Sequence, residues 1–437
     1  MTIHEARALP IAAEDEAGLP GPRPGEPDRI RTGTGAFRAL HHREFRLLWS
    51  AYALGDLGFW ISYISLQWAM TRATGSDGFW LGALFFCNFV PMLLLAPIAG
   101  VTADRLDRKR VLMATRGGVA VVATALAVLM AIDADAPGVL VAFGAGFGAL
   151  FAFMAPASQA LVANSVPEAD LASAVSVQSA GTNLWRITGP AIAAPILAAW
   201  GAGASFTLYA VTSAVFVLLL ARLRLTPRVP YAEEGGVWSR WREGLRHARD
   251  RPPALAALLT MTVFSVFGAA HVVLFPVFAT DVFDRSATAF TALVSASGVG
   301  AVFGALGTAR RPAVTLTAAA GWLVGFAVAA LAFSLSRSWP LSLVLAAAVG
   351  ACYFSVTTTI NTLLHLLADD DRRGRIMGLF TVTWAGAIPF GGLWMGAVAE
   401  LVSAPVAMGA GALVCGAYGL AVLVRARTSA VRTPAAT

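Results

Sequence analysis

The chain has 437 residues, 57% hydrophobic and only 13% charged, with a mean hydropathy of +0.69. Soluble domains carry about 25% charged residues, so an ordinary water-soluble enzyme is excluded. Its 31 Arg against one Lys, Lys109, give a net charge of +7, which suggests a nucleic-acid binder until the Arg are placed along the chain.

Residues 1–44 hold Pro, Gly, Glu and Arg without an apolar core, so they read as a disordered cytoplasmic tail and not as a signal peptide. From Phe45 onward, apolar stretches long enough to cross roughly 30 Å of hydrocarbon as helices recur. They fall near 45–71, 79–103, 111–132, 138–164, 171–200, 204–223, 254–281, 288–309, 314–336, 340–367, 375–401 and 404–425. The expected fold is therefore all-α and integral to a membrane, with twelve transmembrane helices. Six lie in 45–223 and six in 254–427, on either side of a polar linker, 224–253, with a short tail at 428–437. In the linker, Trp238, Trp241, Leu245 and Ala248 recur at helical spacing opposite Arg240, Arg242, Arg246 and Arg249. That pattern suits an amphipathic helix lying in the headgroup layer. Cys87, Cys352 and Cys415 sit singly in apolar runs and indicate neither a disulfide frame nor a metal site.

Short cytoplasmic loops are enriched in Arg and Lys. With the N-terminus inside, 28 of the 32 basic residues fall in cytoplasmic segments and only Arg72, Arg285 and Arg337 outside. Both termini are thus expected in the cytoplasm, at the plasma (inner) membrane. The basic excess becomes a topology and needs no nucleic acid.

A shift of about 202 residues lays the fourth span and its loop on the tenth. Phe151 meets Tyr353, Gln159 meets Asn361, Leu161 meets Leu363 and Gly189 meets Gly391, while Asp170 falls one residue past Asp371. Two pseudo-symmetric six-helix bundles are expected, the plan of a transporter whose site lies between halves.

After the second span comes Gly100-Val101-Thr102-Ala103-Asp104-Arg105-Leu106-Asp107-Arg108-Lys109-Arg110. A helix-ending glycine permits close approach, the acid faces a positive helix end, and the basic cluster holds the loop in the cytoplasm. The segment resembles the G-x-x-x-D-R-x-x-R-K signature of the major facilitator superfamily, with Asp107 where a second glycine is usual. The resemblance implies the major facilitator fold over about 45–427. It also implies a conformational latch in Gly100, Asp104, Arg105, Arg108 and Lys109, in which Asp104 holds the eleventh span, here starting Arg372-Arg373-Gly374-Arg375. The bland alternative is a loop that serves only topology and packing.

In the fifth span, Ser179-Ala180-Gly181-Thr182-Asn183-Leu184-Trp185-Arg186-Ile187-Thr188-Gly189-Pro190 is similar to the equivalent stretch of bacterial siderophore exporters of the enterobactin exporter type. Gly189-Pro190 also resembles the helix 5 motif of drug/proton antiporters, although Ala193 and Ala194 replace its paired glycines.

A charge at mid-membrane costs at least about 2.5 kcal/mol, so survivors mark function by default. Asp56 is the one acid placed well inside a span, and Arg186 the one deep cation. Their levels differ by roughly 6 Å at 1.5 Å per residue, so an Asp56–Arg186 pair for proton coupling is expected, or else a permanent structural ion pair. Gln67, Asn88, Gln159, Gln178, Asn183, Trp185, His271, Tyr353, Asn361 and Trp384 are candidates for a substrate cavity, though such amides often only join helices. His365 is a weaker candidate, and Trp60, Trp68, Trp394, Phe85, Phe86 and Phe275 extend an aromatic wall.

Glycine runs such as Gly144-x-Gly146-x-Gly148 lie inside spans and suit helix packing, not a nucleotide loop. The expectation is a non-enzymatic, cofactor-free exporter working as a monomer. It would move a small, largely apolar molecule such as an antibiotic, natural product or siderophore, with protons as the coupling ion. An uptake carrier for a sugar or organic anion is the first rival. A membrane-embedded enzyme or scramblase is the second, with a single buried acid to work with.

Overall fold

The computed structural model describes residues 37–224, 246, 249–309, 314–368 and 373–431. Inside a bilayer no water is present to pair with backbone groups, so runs this apolar satisfy them as helices. In chain order these are α1 (Arg43–Thr74), α2 (Gly78–Arg105), α3 (Arg108–Ala131), α4 (Pro137–Asn164), then α5 (171–200) and α6 (202–221). After the linker come α7, which starts as Pro252–Phe267 and continues irregularly to Val282, α8 (Ala287–Ala309), α9 (Leu316–Leu335) and α10 (Trp339–Leu367). The last two are α11, made of Arg373–Thr381, a π turn at Val382–Gly386 and Ile388–Leu401, and α12 (Ala404–Val431).

Ten described runs are long and apolar enough to cross a membrane. One of them, 54 residues long, is α5 and α6 joined at Gly201, whose φ of 74° and ψ of −179° break the helix. α1 carries Asp56 and Gln67 and is less apolar, yet at 32 residues it exceeds the roughly 20 a span requires. It completes the twelve.

Local chemistry sets several boundaries. Asp77 caps α2 by accepting from Trp80 N at 3.2 Å, and Asp107 caps α3 by accepting from Lys109 N at 2.8 Å. The acid at position 107, where the superfamily signature has a glycine, thus starts the next helix. The amino-terminal boundary moves forward from the expected 45. Arg38–His41 form a 3₁₀ turn, Ala39 N donates to Ser173 Oγ, and Asp170 is hydrogen-bonded to His42 Nε2 at 2.7 Å and ion-paired with Arg38 at 3.2 Å. The amphipathic linker pattern at Trp238, Trp241, Leu245 and Ala248 lies outside the described residues, as does the tail before Phe37.

The packing repeats between the halves. α1 packs on α5 and α7 on α11, α2 on α4 and α8 on α10, and α3 on α6 and α9 on α12. The 202-residue register is visible in contacts: Gly189 of α5 abuts Trp60 of α1, and Gly391 of α11 abuts the Ser265–Val266 main chain of α7. Across the halves, α2 packs on α11 and α5 on α8.

The cross-half contact is uneven along its length. At the end far from the linker, a Cβ on Gly396 would stand 2.3 Å from Gly78 O, and one on Gly82 2.7 Å from Gly392 O. Ser76 donates to Thr280 Oγ1 at 2.8 Å, and Glu400 accepts from Gly78 N at 3.1 Å. Leu93 still touches Gly386 midway, but Gly100 and Gly378 have open space around them. Leu94, Ile98 and Val101 are exposed. The molecule is closed at the far end and parted at the linker end.

Candidate functional site

The α1–α5 seam holds the expected acid, Asp56, against a hydroxyl of the neighbouring helix. Both helices run from the linker end, and glycines at 181 and 189 let them approach the rings of Trp49 and Trp60. Between those contacts Thr182 Oγ1 donates to Asp56 Oδ2 at 3.0 Å. Trp185 lies on the same stripe, with its Nε1 buried and unpartnered.

The expected Asp56–Arg186 pair is not formed. No ion pair among the described residues includes either side chain, and the cation acting on Asp56 is Arg116 of α3. Arg116 is 2% exposed, with Nε and Nη1 free of hydrogen-bond partners. Its guanidinium carbon stands 4.4 Å from the Phe216 ring centroid. A Cβ on Gly55 would fall 2.9 Å from that guanidinium, so the glycine beside Asp56 is what admits it. In sequence Arg116 follows Arg105–Arg110 so closely, just inside the third span, that it is counted among the 28 cytoplasmic basic residues. Its depth, more than two turns into α3, was the available signal.

Arg186 turns the other way. Its guanidinium carbon stands 5.0 Å from the ring centroid of Phe354 on α10, in the opposite half, and its Nε is buried without a partner. Tyr353 is within electrostatic reach of it and beside Trp384. Gln178 on α5 has its Oε1 buried and unpaired, whereas Gln159 is exposed and Asn361 half-buried.

Other expected cavity residues are placed elsewhere. His271 is 1% exposed, hydrogen-bonded through Nδ1 to Gly268 O at 2.9 Å. Phe275, Phe326 and Tyr353 surround it, so it belongs to the core of the second half. Asn88 lines a small apolar pocket within the first half, with Phe59, Tyr63, Phe147, Phe151 and Tyr209. Gln67 is 5% exposed, with Nε2 unpartnered. His365 is exposed near the end of α10.

Much of the expected aromatic wall seals the far end instead. Trp68 of α1 stacks on Phe290 of α8 at 6.3 Å, Phe86 meets Phe390 at 5.4 Å, and Phe85 abuts Gly392. Trp394 packs on Phe267 at 5.3 Å.

In the signature loop, Lys109 Nζ donates to Ala221 O at 3.1 Å and Leu223 O at 2.7 Å. It therefore caps the end of α6 within its own half and does not reach α11. Arg105 is exposed, Arg108 half-buried, and Asp107 faces Arg110 at 3.8 Å. The side chains of Asp104, Asn183 and residues 372–375 lie outside those described. The three cysteines are free.

Two six-helix bundles of matching packing, touching through α2–α11 and α5–α8 and parted at one end, define a major facilitator transporter. The chain belongs to the transmembrane secretion effector family of that superfamily, whose family model matches residues 34–435. It is similar to the staphyloferrin A transporter of Staphylococcus aureus, at 25% identity over 351 residues, 79% of this chain and 87% of that one. It is also similar to the multidrug efflux pump Tap of Mycobacterium tuberculosis, at 28% identity over 370 residues, 81% and 86% of the two chains. The fold matches the crystal structure of a bacterial homologue of the human lysosomal transporter Spinster in an inward-facing, unoccupied conformation. That match has a TM-score of 0.67 at 15% identity, covering 88% of this chain and 95% of that one. The protein is a multi-pass membrane transporter of the efflux type.

Proposed function

We propose that the protein exports a small, largely apolar molecule by proton-coupled alternating access, with Asp56 as the proton carrier. The observation that carries this reading is a carboxylate deep in α1, held by Thr182 of α5, with Arg116 close enough for its charge to act on it. Ionisable groups at such depth are costly and mark proton or substrate pathways. A proton on Asp56 cancels its attraction to Arg116 and weakens the charge-assisted bond from Thr182, which loosens the α1–α5 seam. Protonation is in this way linked to a change in packing.

The sorting of basic residues by loop supports cytoplasmic termini, so the parted linker end opens to the cytoplasm, where an exporter loads. The relatives, a staphyloferrin A transporter and a multidrug efflux pump, support a siderophore, antibiotic or other natural product as cargo. The protein acts as a monomer, and the central contact of its two halves is internal.

The test is uptake of labelled compounds into inverted vesicles with and without an inward-acid pH gradient. Gradient-driven accumulation is expected for the wild type. Asp56→Asn is expected to lose at least about tenfold of the gradient-driven rate, about 1.4 kcal/mol, while remaining in the membrane in normal amount. Gradient-driven accumulation by Asp56→Asn at the wild-type rate overturns the assignment of the carrier.

A further inference from the structure

Export of an apolar molecule does not account for Arg186. It is the cation that faces the opposite half, and no ion pair among the described residues neutralises it. The acid expected to pair with it, Asp56, is bonded to Thr182 and acted on by Arg116 instead. Arg186 is half-buried, with its Nε buried and unpartnered, and a cation at this depth without a counter-charge is costly and marks a candidate ligand site.

Its surroundings say what that ligand looks like. The guanidinium carbon lies 5.0 Å from the ring centroid of Phe354, a cation–π contact that leaves Nε without a hydrogen-bond partner. Tyr353 is within electrostatic reach of Arg186, and Trp384 stands beside Tyr353, which extends the aromatic surface. Arg186 comes from α5 of the first half, and Phe354, Tyr353 and Trp384 from α10 and α11 of the second. The turns before it on α5 are open on the same face, because Ser179 and Thr182 are exposed, so the group is reached from the parted linker end.

Resting on the exporter reading above, we propose that Arg186, with Phe354, Tyr353 and Trp384, forms a subsite for the carboxylate, or an equivalent oxyanion, of an organic anion with an aromatic or apolar body. The planar guanidinium takes a carboxylate through two parallel N–H···O bonds, and the rings take the body. Binding neutralises Arg186, so the loaded interface carries two balanced pairs, Asp56 with Arg116 and ligand with Arg186. The ligand touches both halves, which lets its arrival favour their closure over it.

The test compares two probes with one aromatic body, 1-pyrenebutyrate and the neutral 1-pyrenebutanol. Their binding to the purified full-length protein in nanodiscs is read by energy transfer from tryptophan, in the absence of any gradient. The wild type is expected to bind the carboxylate at least about tenfold more tightly than the alcohol, the return of one charge-assisted bidentate contact. Arg186→Gln is expected to abolish that preference while binding the alcohol as the wild type does, which also shows that the variant is folded. Arg186→Lys is expected to keep part of the preference, since a point charge replaces a fork. The proposal is overturned if the wild type binds both probes equally or neither, or if Arg186→Gln keeps the preference. Because no gradient enters the measurement, this result stands apart from the vesicle test of export: either can fail while the other holds.

Discussion

Arg116 shows how one side chain alters the reading of a membrane site. Asp56 was legible in the sequence because an acid surrounded by Leu, Gly and Phe stands out, and a carboxylate at that depth needs partners. Its neighbours were not legible, because they depend on which face of three helices turns inward. Arg186 is close to Asp56 in level yet aims at α10, while Arg116, numbered among the loop cations, reaches Gly55 from α3. The two charges Asp56 and Arg116 are near but not in direct contact, so their coupling is through-space in a low-dielectric interior. Arg116→Gln and Asp56→Asn are each expected to lower thermal stability in detergent. The double variant is expected to lose less than the sum, by a coupling of about 1 kcal/mol. Strict additivity in that double-mutant cycle would place Arg116 outside the site.

At the level of elements, the sequence gives the helices and their ends more readily than their meeting points. Asp77, Asp107 and Thr315 start helices by accepting from main-chain N–H groups, as short polar residues ahead of apolar runs do. Gly201 does the opposite, separating α5 from α6 within what is otherwise one long apolar run. The glycines of α2 and α11 were silent in the sequence because an apolar helix is compatible with glycine on any face. In the structure Gly78, Gly82, Gly392 and Gly396 form the far-end contact, each placed where a methyl group would meet the opposing main chain or ring. Overpacking a tight contact costs about 1–3 kcal/mol, and here that cost falls only on the state closed at the far end. Gly396→Ala is therefore expected to populate the opposite state. In a cysteine-free background, a pair of cysteines at positions 76 and 280, where the native Ser76 and Thr280 side chains touch at 2.8 Å, reports it. Cross-linking of that pair is expected to slow several-fold in Gly396→Ala, and an unchanged rate would mean that the far-end contact is not the closing surface.

For the molecule as a whole, the internal repeat carried most of the architecture. Gly189 and Gly391 occupy equivalent positions against the first helix of each half, and a register of that kind survives in sequence because backbone approach tolerates nothing larger. The aromatic wall did not carry over in the same way. Tryptophan and phenylalanine serve a cavity, a lipid face and a seal equally well, and here Trp68, Phe86 and Phe85 are spent on the far-end seal. The seal and the parting lie at opposite ends of one interface, since α2 and α11 lie together as far as Leu93 and Gly386 and then separate. Under the proposed alternating access, rocking of the halves about this midpoint opens one end as it closes the other, because packed bundles do not deform continuously. A disulfide between cysteines at 76 and 280 is thus expected to stop net transport in vesicles, and reduction to restore it. Binding from the linker side is expected to persist in the locked protein at wild-type affinity, since the lock only fixes the conformation that binds. Transport continuing under the lock would show that substrate passes without the halves exchanging their contact, and alternating access would then not describe this protein.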